Sequence, residues 1–185
     1  MNFFLKAKHW QIFTLLILTP IVIQLILIAN NSFNLMFTIM PAITVLYFMV
    51  FFGWFWAVGT SLYSKLAPNE KLNIQLFKVS LITPVIYILG ISIYMSMISM
   101  DIIANDKSPI FAMNDIIRVV FPLHIFSMFC IFYAMWFISK AIKTIEFQKP
   151  VSFSDYAGEF FLLWLFPVGI WIIQPKINKI NEKID

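Results

Sequence analysis

The sequence predicts an all-α, polytopic membrane protein with four transmembrane helices and a C-terminal amphipathic helix that is interfacial or re-entrant. Two observations predict this fold class. Four long apolar stretches run through the 185 residues, and the basic residues gather around alternate ends of them. Hydrophobic residues make up 61% of the chain and charged residues 12%, whereas a soluble domain is about 25% charged. Most of the surface is therefore expected to face lipid.

The positions of the charges predict the topology. Loops rich in Lys and Arg stay in the cytoplasm, so alternate loops and both termini are expected on the cytoplasmic side. Eleven of the thirteen basic residues form four clusters there: Lys6 and Lys8; Lys65, Lys71 and Lys78; Lys140, Lys143 and Lys149; Lys176, Lys179 and Lys183. The other two, Lys107 and Arg118, share an outer loop with Asp101, Asp106 and Asp115.

The four spans follow from the lengths of the apolar stretches. Span one is expected at residues 12–29, just long enough to cross about 30 Å of hydrocarbon. Span two, residues 35–63, is too long for a perpendicular crossing and is expected to tilt or to project into the cytoplasm. Span three is expected at residues 79–100, and span four at residues 116–139.

The fifth apolar segment, residues 160–173, is too short for an ordinary span, at about 14 residues. Lysines flank it on both sides, so a crossing would place one basic cluster outside. The sequence therefore predicts an interfacial or re-entrant helix on the cytoplasmic side. The expected division is a transmembrane domain, residues 1–149, followed by a cytoplasmic-side region, residues 150–185.

Local signals are expected to delimit the fifth helix. Ser152 and Asp155 have the spacing of a capping box, and Asp155 and Glu159 would lie near the positive end of the helix dipole. Pro167 is expected to bend the helix and Pro175 to end it, because proline lacks the N–H that continues a helix.

One short segment occurs twice. Residues 11–20, QIFTLLILTP, and residues 75–84, QLFKVSLITP, share Gln, Phe, Thr and Pro at identical spacing. Spans one and three would cross in the same direction, so the match is consistent with a parallel repeat of helical hairpins. Spans two and four do not extend the match, and a chance similarity stays open.

Polar and small residues follow one face of span three. They recur at alternating spacings of three and four, which makes a slowly drifting helical stripe: Ser80, Thr83, Tyr87, Gly90, Tyr94, Met97 and Asp101. One interpretation is a packing seam with hydroxyl groups hydrogen-bonded between helices. The other is a pore lining formed by Ser80, Thr83, Tyr87 and Tyr94, with Asp101 attracting cations at the outer mouth.

Other polar residues inside the spans also allow two interpretations. Gln24 is expected to make a hydrogen bond between helices. His124 is either a functional group, as ionisable residues at membrane depth often are, or a neutral histidine bonded to a neighbouring hydroxyl. Arg118 is suited to a local ion pair with Asp115, three residues away.

Small residues recur every fourth position along span two, at Gly53, Ala57 and Ser61. This spacing lets two helix backbones approach closely, which favours packing in lipid. The pattern does not say whether the partner lies in the same chain.

No motif indicates an enzyme. The chain lacks HExxH, CxxC, P-loop and dinucleotide-binding patterns. His9 and His124 would lie on opposite sides of the membrane, so neither can readily join Asp155 and Glu159 in one acid–base site. A lone cysteine such as Cys130 is more typical of a small core residue than of a nucleophile. We therefore predict no enzymatic activity, no cofactor and no metal site.

The net charge of +4 has two interpretations. One is membrane topology together with attraction to anionic lipid headgroups. The other is a site for a soluble anionic ligand. The residues concerned form the predicted cytoplasmic basic surface: Lys140, Lys143, Lys149, Lys176 and Lys179.

Three segments carry a resemblance to a known group: FLKAKHWQIF, FPLHIFSMFCIFYAMWF and SDYAGEFFLLWLFPVGIWIIQPKINKI. The chain resembles small four-span membrane proteins of Bacteroidetes that have no assigned activity. The resemblance covers most of the chain and implies a bacterial inner-membrane location. It transfers no functional residue.

Three functions are consistent with these features. The first is a homo-oligomeric channel or pore gated from the cytoplasmic side, as in compact stress or antiphage effectors, with subunits sharing the aqueous path. The alternative is a non-catalytic accessory or scaffold subunit of a larger inner-membrane complex. The third is a small-molecule carrier that works through the repeat. The expected partners are the lipid bilayer, further copies of the chain or a larger complex, and an anionic lipid or ligand.

Overall fold

The computed structural model describes residues 2–67, 72–105 and 116–182, and the regular structure within these ranges is all helical. Four helices are long and apolar enough to cross a membrane: His9–Ala29, Ile43–Tyr63, Ile74–Tyr94 and Ile117–Phe147. The predicted all-α fold with four spans is therefore confirmed, and the protein is a multi-pass membrane protein.

The helices are numbered in chain order: α1 Asn2–Lys6, α2 His9–Ala29, α3 Phe33–Tyr63, α4 Ile74–Asn105, α5 Phe121–Phe147, α6 Phe153–Trp164 and α7 Phe166–Glu182. Both α4 and α5 extend beyond the predicted spans at their lysine-rich ends. Lys78 and Lys140 lie within these helices because lysine is a good helix former and its long stem lets the ammonium reach water.

The chain divides into two compact units. Unit 1 consists of Met1–Ile74 and Met135–Asp185, and unit 2 of Gln75–Ala134. Unit 1 therefore holds α1 to α3, the second half of α5, and both α6 and α7. Unit 2 holds nearly all of α4 and the first half of α5.

In unit 1, α6 and α7 form a helical hairpin that turns at Leu165. The buried residues of each helix recur at spacings of three and four, which places them on one face: Tyr156, Glu159 and Leu163 on α6, and Phe166, Ile170, Ile173, Ile177 and Ile180 on α7. Near the turn, Gly169 packs directly on the backbone of Leu162. A Cβ atom at position 169 would overlap the Leu162 carbonyl, so this close packing requires glycine.

The predicted capping box is confirmed at the start of α6. Asp155 Oδ2 accepts hydrogen bonds from the Ser152 backbone N–H at 2.7 Å and from the Ser152 hydroxyl at 2.8 Å. These bonds favour the carboxylate and hold the pKa of Asp155 below its ordinary value.

The two prolines near the hairpin turn act differently from each other. The chain breaks between α6 and α7 at Leu165, and Pro167 lies in the first turn of α7, a position that tolerates proline. The prediction that Pro175 ends the helix is wrong, since α7 continues to Glu182. A proline removes one backbone hydrogen bond, and side-chain bonds from Gln174 and Asn178 hold this part of α7 in place.

Two π-helical turns each end two residues before a proline. Thr14–Leu18 lies within α2 before Pro20, and Ile116–Val120 precedes Pro122 at the start of α5. Because proline has no N–H, the carbonyl four residues earlier loses its helical donor. A local π adjustment is one way in which membrane helices pair the backbone groups freed by a proline.

The two segments of the ten-residue match differ in local structure. Pro20 follows a π turn, whereas Pro84 lies inside the α-helix of α4. Near Pro84, the hydroxyls of Ser80 and Thr83 donate to the carbonyls four residues earlier, at 2.7 and 2.9 Å. Local structure therefore adds no support to the proposed repeat.

Candidate functional site

A cavity of about 460 Å³ lies between α4 and α5 within unit 2. Its walls are mostly apolar, with contributions from Ile86, Ile91, Leu123 and Phe126. Four hydroxyl-bearing side chains also line it, namely Thr83, Tyr87, Tyr94 and Ser127. Because both helices belong to membrane-crossing segments, this cavity lies at membrane depth.

The cavity brings together part of the polar stripe of span three. Thr83, Tyr87 and Tyr94 line it, as does Gly90 between them. Ser80 does not, since its side chain is buried and its hydroxyl donates to the Leu76 carbonyl. Asp101 lies on α4, and its side chain is outside the described part of the chain, as are Asp106 and Asp115.

A tyrosine and a histidine join the two helices beside the cavity. Tyr87 Oη lies 3.2 Å from His124 Nδ1, and the tautomer of the imidazole decides which atom donates the hydrogen bond. The two rings are 5.8 Å apart. His124 thus has a hydroxyl partner on the neighbouring helix, and this pair supplies a polar group at the edge of an apolar cavity.

Ser127 is the residue of the site that the sequence did not single out. Its side chain is only 4% exposed, and its Oγ has no hydrogen-bond partner among the residues that the structure describes. A serine in a helix usually bonds to a backbone carbonyl one turn earlier. Leaving a buried hydroxyl unpaired costs about 1–3 kcal/mol, and a molecule that formed a hydrogen bond with Ser127 Oγ would remove this cost. Its only sequence signal is its position one turn after His124 on α5.

The chemistry of the cavity is that of a neutral site. The polar side chains that line it are hydroxyls, and no charged side chain lines it in the described ranges. The described residues also contain no cluster of three His, Cys, Asp or Glu side chains suited to a metal ion. Hydroxyl groups in an apolar wall orient a ligand by hydrogen bonds while its apolar body fills the space.

The other intramembrane polar residues do not line this cavity. Gln24 is half-buried on α2. Arg118 is exposed in the π turn before α5. Its predicted partner Asp115 lies outside the described residues.

The small residues of α3 face other parts of unit 1. Gly53 lies against the ring of Phe4 in α1, where an added Cβ would come within 3.3 Å of Phe4 Cε2. Ala57 is fully buried. Ser61 donates a hydrogen bond to Asn181 Oδ1 of α7 at 2.9 Å. The contacts of Gly53 and Ser61 are thus with the first and last helices.

The predicted basic surface is partly neutralised. Lys143 Nζ lies 2.8 Å from Glu146 and 3.0 Å from Glu159, and Lys176 Nζ lies 2.5 Å from Glu159. We call these four residues the ion cluster. Of the other predicted members, Lys140 lies over the ring of Trp136, Lys149 over that of Phe147, and Lys179 is exposed.

Glu159 is the centre of the ion cluster and is only 4% exposed. Burial alone would raise its pKa, but the hydrogen bonds from Lys176 and Lys143 outweigh burial, so the pKa of Glu159 lies below its ordinary value. The carboxylate therefore stays charged and ties α6 to both α5 and α7.

A second buried polar group, Gln174, links three helices of unit 1. Its Oε1 accepts a hydrogen bond from Trp54 Nε1 of α3 at 2.8 Å. Its Nε2 donates to the carbonyls of Phe4 and Ala7 at 2.8 and 3.0 Å. Asn178, one turn later, also donates to the Ala7 carbonyl. These hydrogen bonds hold α7 against the N-terminal segment, and Gln174 is therefore a structural joint between them.

The chain matches no known family model, no curated protein sequence and no solved structure.

Proposed function

We propose that this protein is a non-catalytic membrane protein that binds a neutral, lipid-soluble molecule in the cavity between α4 and α5. The observation that carries the proposal is the buried, unpaired hydroxyl of Ser127 in the wall of that cavity. A volume of about 460 Å³ lies within the range of small-molecule sites.

The lining supports a particular class of ligand. A predominantly apolar molecule would fill the space between the isoleucine, leucine and phenylalanine side chains. A single carbonyl or hydroxyl group would bond to Ser127 and to the Tyr87–His124 pair. A charged headgroup is disfavoured because no described lining residue offers a compensating charge.

A photoreactive long-chain alcohol, incorporated into phosphatidylcholine vesicles with the purified protein, tests this proposal. We expect covalent labelling to concentrate on peptides around Tyr87 and around Leu123 to Ser127. Ser127→Ala should weaken labelling by about two- to tenfold, the value of one hydrogen bond of about 0.5–1.5 kcal/mol.

Two glycines offer a matched pair of filling variants. Gly90 lines the cavity and Gly158 lies on α6, and an added Cβ meets open space at both. Gly90→Leu should fill the cavity and strongly reduce labelling, whereas Gly158→Leu should leave it unchanged. Labelling spread evenly over all spans, with no effect of Gly90→Leu, would contradict the proposal.

A homo-oligomeric pore remains the second candidate. The supporting observation is that α4 continues as a helix to Asn105, which places Thr83, Tyr87, Tyr94 and Asp101 along one helix. A shared pore would need several copies of the chain. An accessory subunit of a larger complex would instead co-purify with a different protein in fixed ratio.

Ion flux in liposomes separates the pore from the binding protein. The pore hypothesis expects flux from wild type and reduced cation flux from Asp101→Asn. Adding phosphatidylglycerol tests the anionic partner. A small pocket of about 120 Å³ is lined by Lys65, Lys149 and Thr144, and the buried Thr144 hydroxyl has no hydrogen-bond partner in the part of the chain that the structure describes. The binding proposal expects no flux with either lipid composition.

The cellular location is proposed on the charge pattern and on the resemblance to Bacteroidetes membrane proteins. The resemblance supports the bacterial inner membrane, and the charge pattern supports a topology with both termini in the cytoplasm. In this orientation, the Tyr63 end of α3 and the Phe147 end of α5 face the cytoplasm.

A further inference from the structure

Both ends of the α6–α7 hairpin lie on the same side of the membrane segments. Near the end of α7, Asn181 bonds to Ser61, and the Ile180 carbonyl accepts a hydrogen bond from Lys65 at 3.3 Å. These residues flank the Tyr63 end of α3. The start of α6 follows the Phe147 end of α5 by six residues, and Lys65 and Thr144 line one pocket. The hairpin therefore does not cross the membrane.

The turn of the hairpin nevertheless reaches the middle of a span. The Phe166 ring packs against Phe51, Trp54 and Phe55 of α3, with ring centres 5.2–6.3 Å apart. These residues lie eight to twelve positions before Tyr63, where the membrane-crossing part of α3 ends. At about 1.5 Å per residue, this places the turn about 12–18 Å from that end.

The outer face of the turn is apolar and about half exposed in the part of the chain that the structure describes, and Trp171 in it also contacts the rings of His9 and Phe13. Five large side chains there are between 45% and 65% exposed: Trp164, Leu165, Val168, Trp171 and Ile172. A surface at this depth along α3 has hydrocarbon beside it. At this depth, the exposed patch would face hydrocarbon.

The turn also pairs its backbone polar groups, as entry into hydrocarbon requires. The Leu165 N–H donates to the Phe161 carbonyl at 2.8 Å. The Leu165 carbonyl in turn accepts from the N–H groups of Val168 and Gly169, at 3.0 and 2.8 Å. Few backbone groups of the turn would therefore be left without a hydrogen-bond partner when the turn enters hydrocarbon.

We infer that α6 and α7 form a re-entrant hairpin whose turn enters the bilayer and whose outer face binds lipid acyl chains. Its polar residues lie towards its base, where Ser152 and Asp155 are exposed and the ion cluster fixes α6 to α7. A hairpin with a charged base and an apolar tip is suited to enter the bilayer from one side without crossing it.

Depth-dependent fluorescence quenching tests the inference. A Cys130→Ala background with Leu165→Cys carries an environment-sensitive dye, and the protein is reconstituted in phosphatidylcholine vesicles. Lipids carry spin labels either near the headgroup or near the chain end. We expect the dye to be quenched more strongly by the deep label and to be protected from aqueous iodide. Ser154→Cys, exposed at the base of α6, should show the reverse.

Three results would overturn the inference. Stronger quenching of Leu165→Cys by the shallow label would make the hairpin interfacial. Absence of lipid quenching, with efficient disulfide or bismaleimide dimers, would show that a second copy covers the patch. Labelling of Ser154→Cys and Lys179→Cys from opposite sides would make the hairpin a fifth span. Val168→Cys provides a second tip position if Leu165→Cys does not fold.

Discussion

At the residue scale, two buried polar side chains, Glu159 and Gln174, connect the helices of unit 1. The Glu159 carboxylate forms ion pairs with a lysine of α5 and a lysine of α7. The side-chain amide of Gln174 makes hydrogen bonds through both its oxygen and its nitrogen, and these connect three helices. A buried polar group is stabilising only when its partners are in place. Such residues therefore specify one arrangement of helices rather than merely favouring burial.

Replacing Glu159 by Gln should lower the free energy of unfolding by about 1–3 kcal/mol, because Lys143 and Lys176 would lose a buried carboxylate. A thermal melt in detergent should show a drop of several degrees. Glu146→Gln is the matched control, since Glu146 is the more exposed carboxylate of the ion cluster, and its loss should cost about 0–1 kcal/mol.

The pH dependence gives a second measurement of Glu159. Its pKa is lowered on folding, so its contribution to stability is present above the unfolded value of about 4.3 and is lost as pH falls through the folded value. Wild type should therefore lose stability below about pH 4 more steeply than Glu159→Gln. If the free energy of unfolding fell equally steeply with pH in the two proteins, Glu159 would be excluded as a source of acid sensitivity.

At the element scale, the hairpin depends on one residue without a side chain. Gly169→Ala places a Cβ on the backbone of Leu162, where no rotamer change can relieve the overlap. We expect a loss of about 3 kcal/mol or an opened hairpin, seen as faster hydrogen exchange in residues 153–182.

Gly158→Ala is the control for that variant, because the added methyl group meets open space on α6. It should be neutral or stabilise the helix by about 0.5–1 kcal/mol. Equal protection of the hairpin in both alanine variants would show that the close approach at Gly169 is not required.

Helix existence followed from the sequence, whereas helix ends did not. Apolar length alone predicted four crossing helices, because the bilayer imposes that length on each. Lys78 and Pro175 look like ends by local rules, yet α4 and α7 continue through them. Lysine is itself a good helix former whose ammonium can reach water. At Pro175, side-chain bonds from Gln174 and Asn178 to the Ala7 carbonyl hold α7 in place, and contacts between residues so far apart in the chain leave no local pattern.

The candidate site was predictable only in part, for the same reason. The stripe of span three pointed to Thr83, Tyr87 and Tyr94 through its helical period. Ser127 belongs to no periodic pattern of polar residues in the sequence. Only the structure shows that α5 places it in the same cavity wall. Glu159 and Gln174 likewise depend on distant partners: Lys143 and Lys176 for Glu159, and the Phe4 carbonyl, 170 residues away, for Gln174.

At the scale of the whole molecule, the membrane orientation is the property with the widest consequences. A cysteine introduced at Lys107 should react with a membrane-impermeant reagent from outside intact cells, and one at Lys179 should react only after permeabilisation. The charge distribution is the physical reason. Reaction of both cysteines from outside would contradict the predicted four-span topology.

The joint made by Gln174 links assembly of unit 1 to chain synthesis. The Phe4 and Ala7 carbonyls accept hydrogen bonds from Gln174, which is synthesised 167 to 170 residues later in the chain. A ribosome adds about 5–20 residues per second, so the N-terminal segment spends about 10–30 s without these hydrogen bonds. During that interval a chaperone or the insertion machinery has access to a surface that the finished protein conceals.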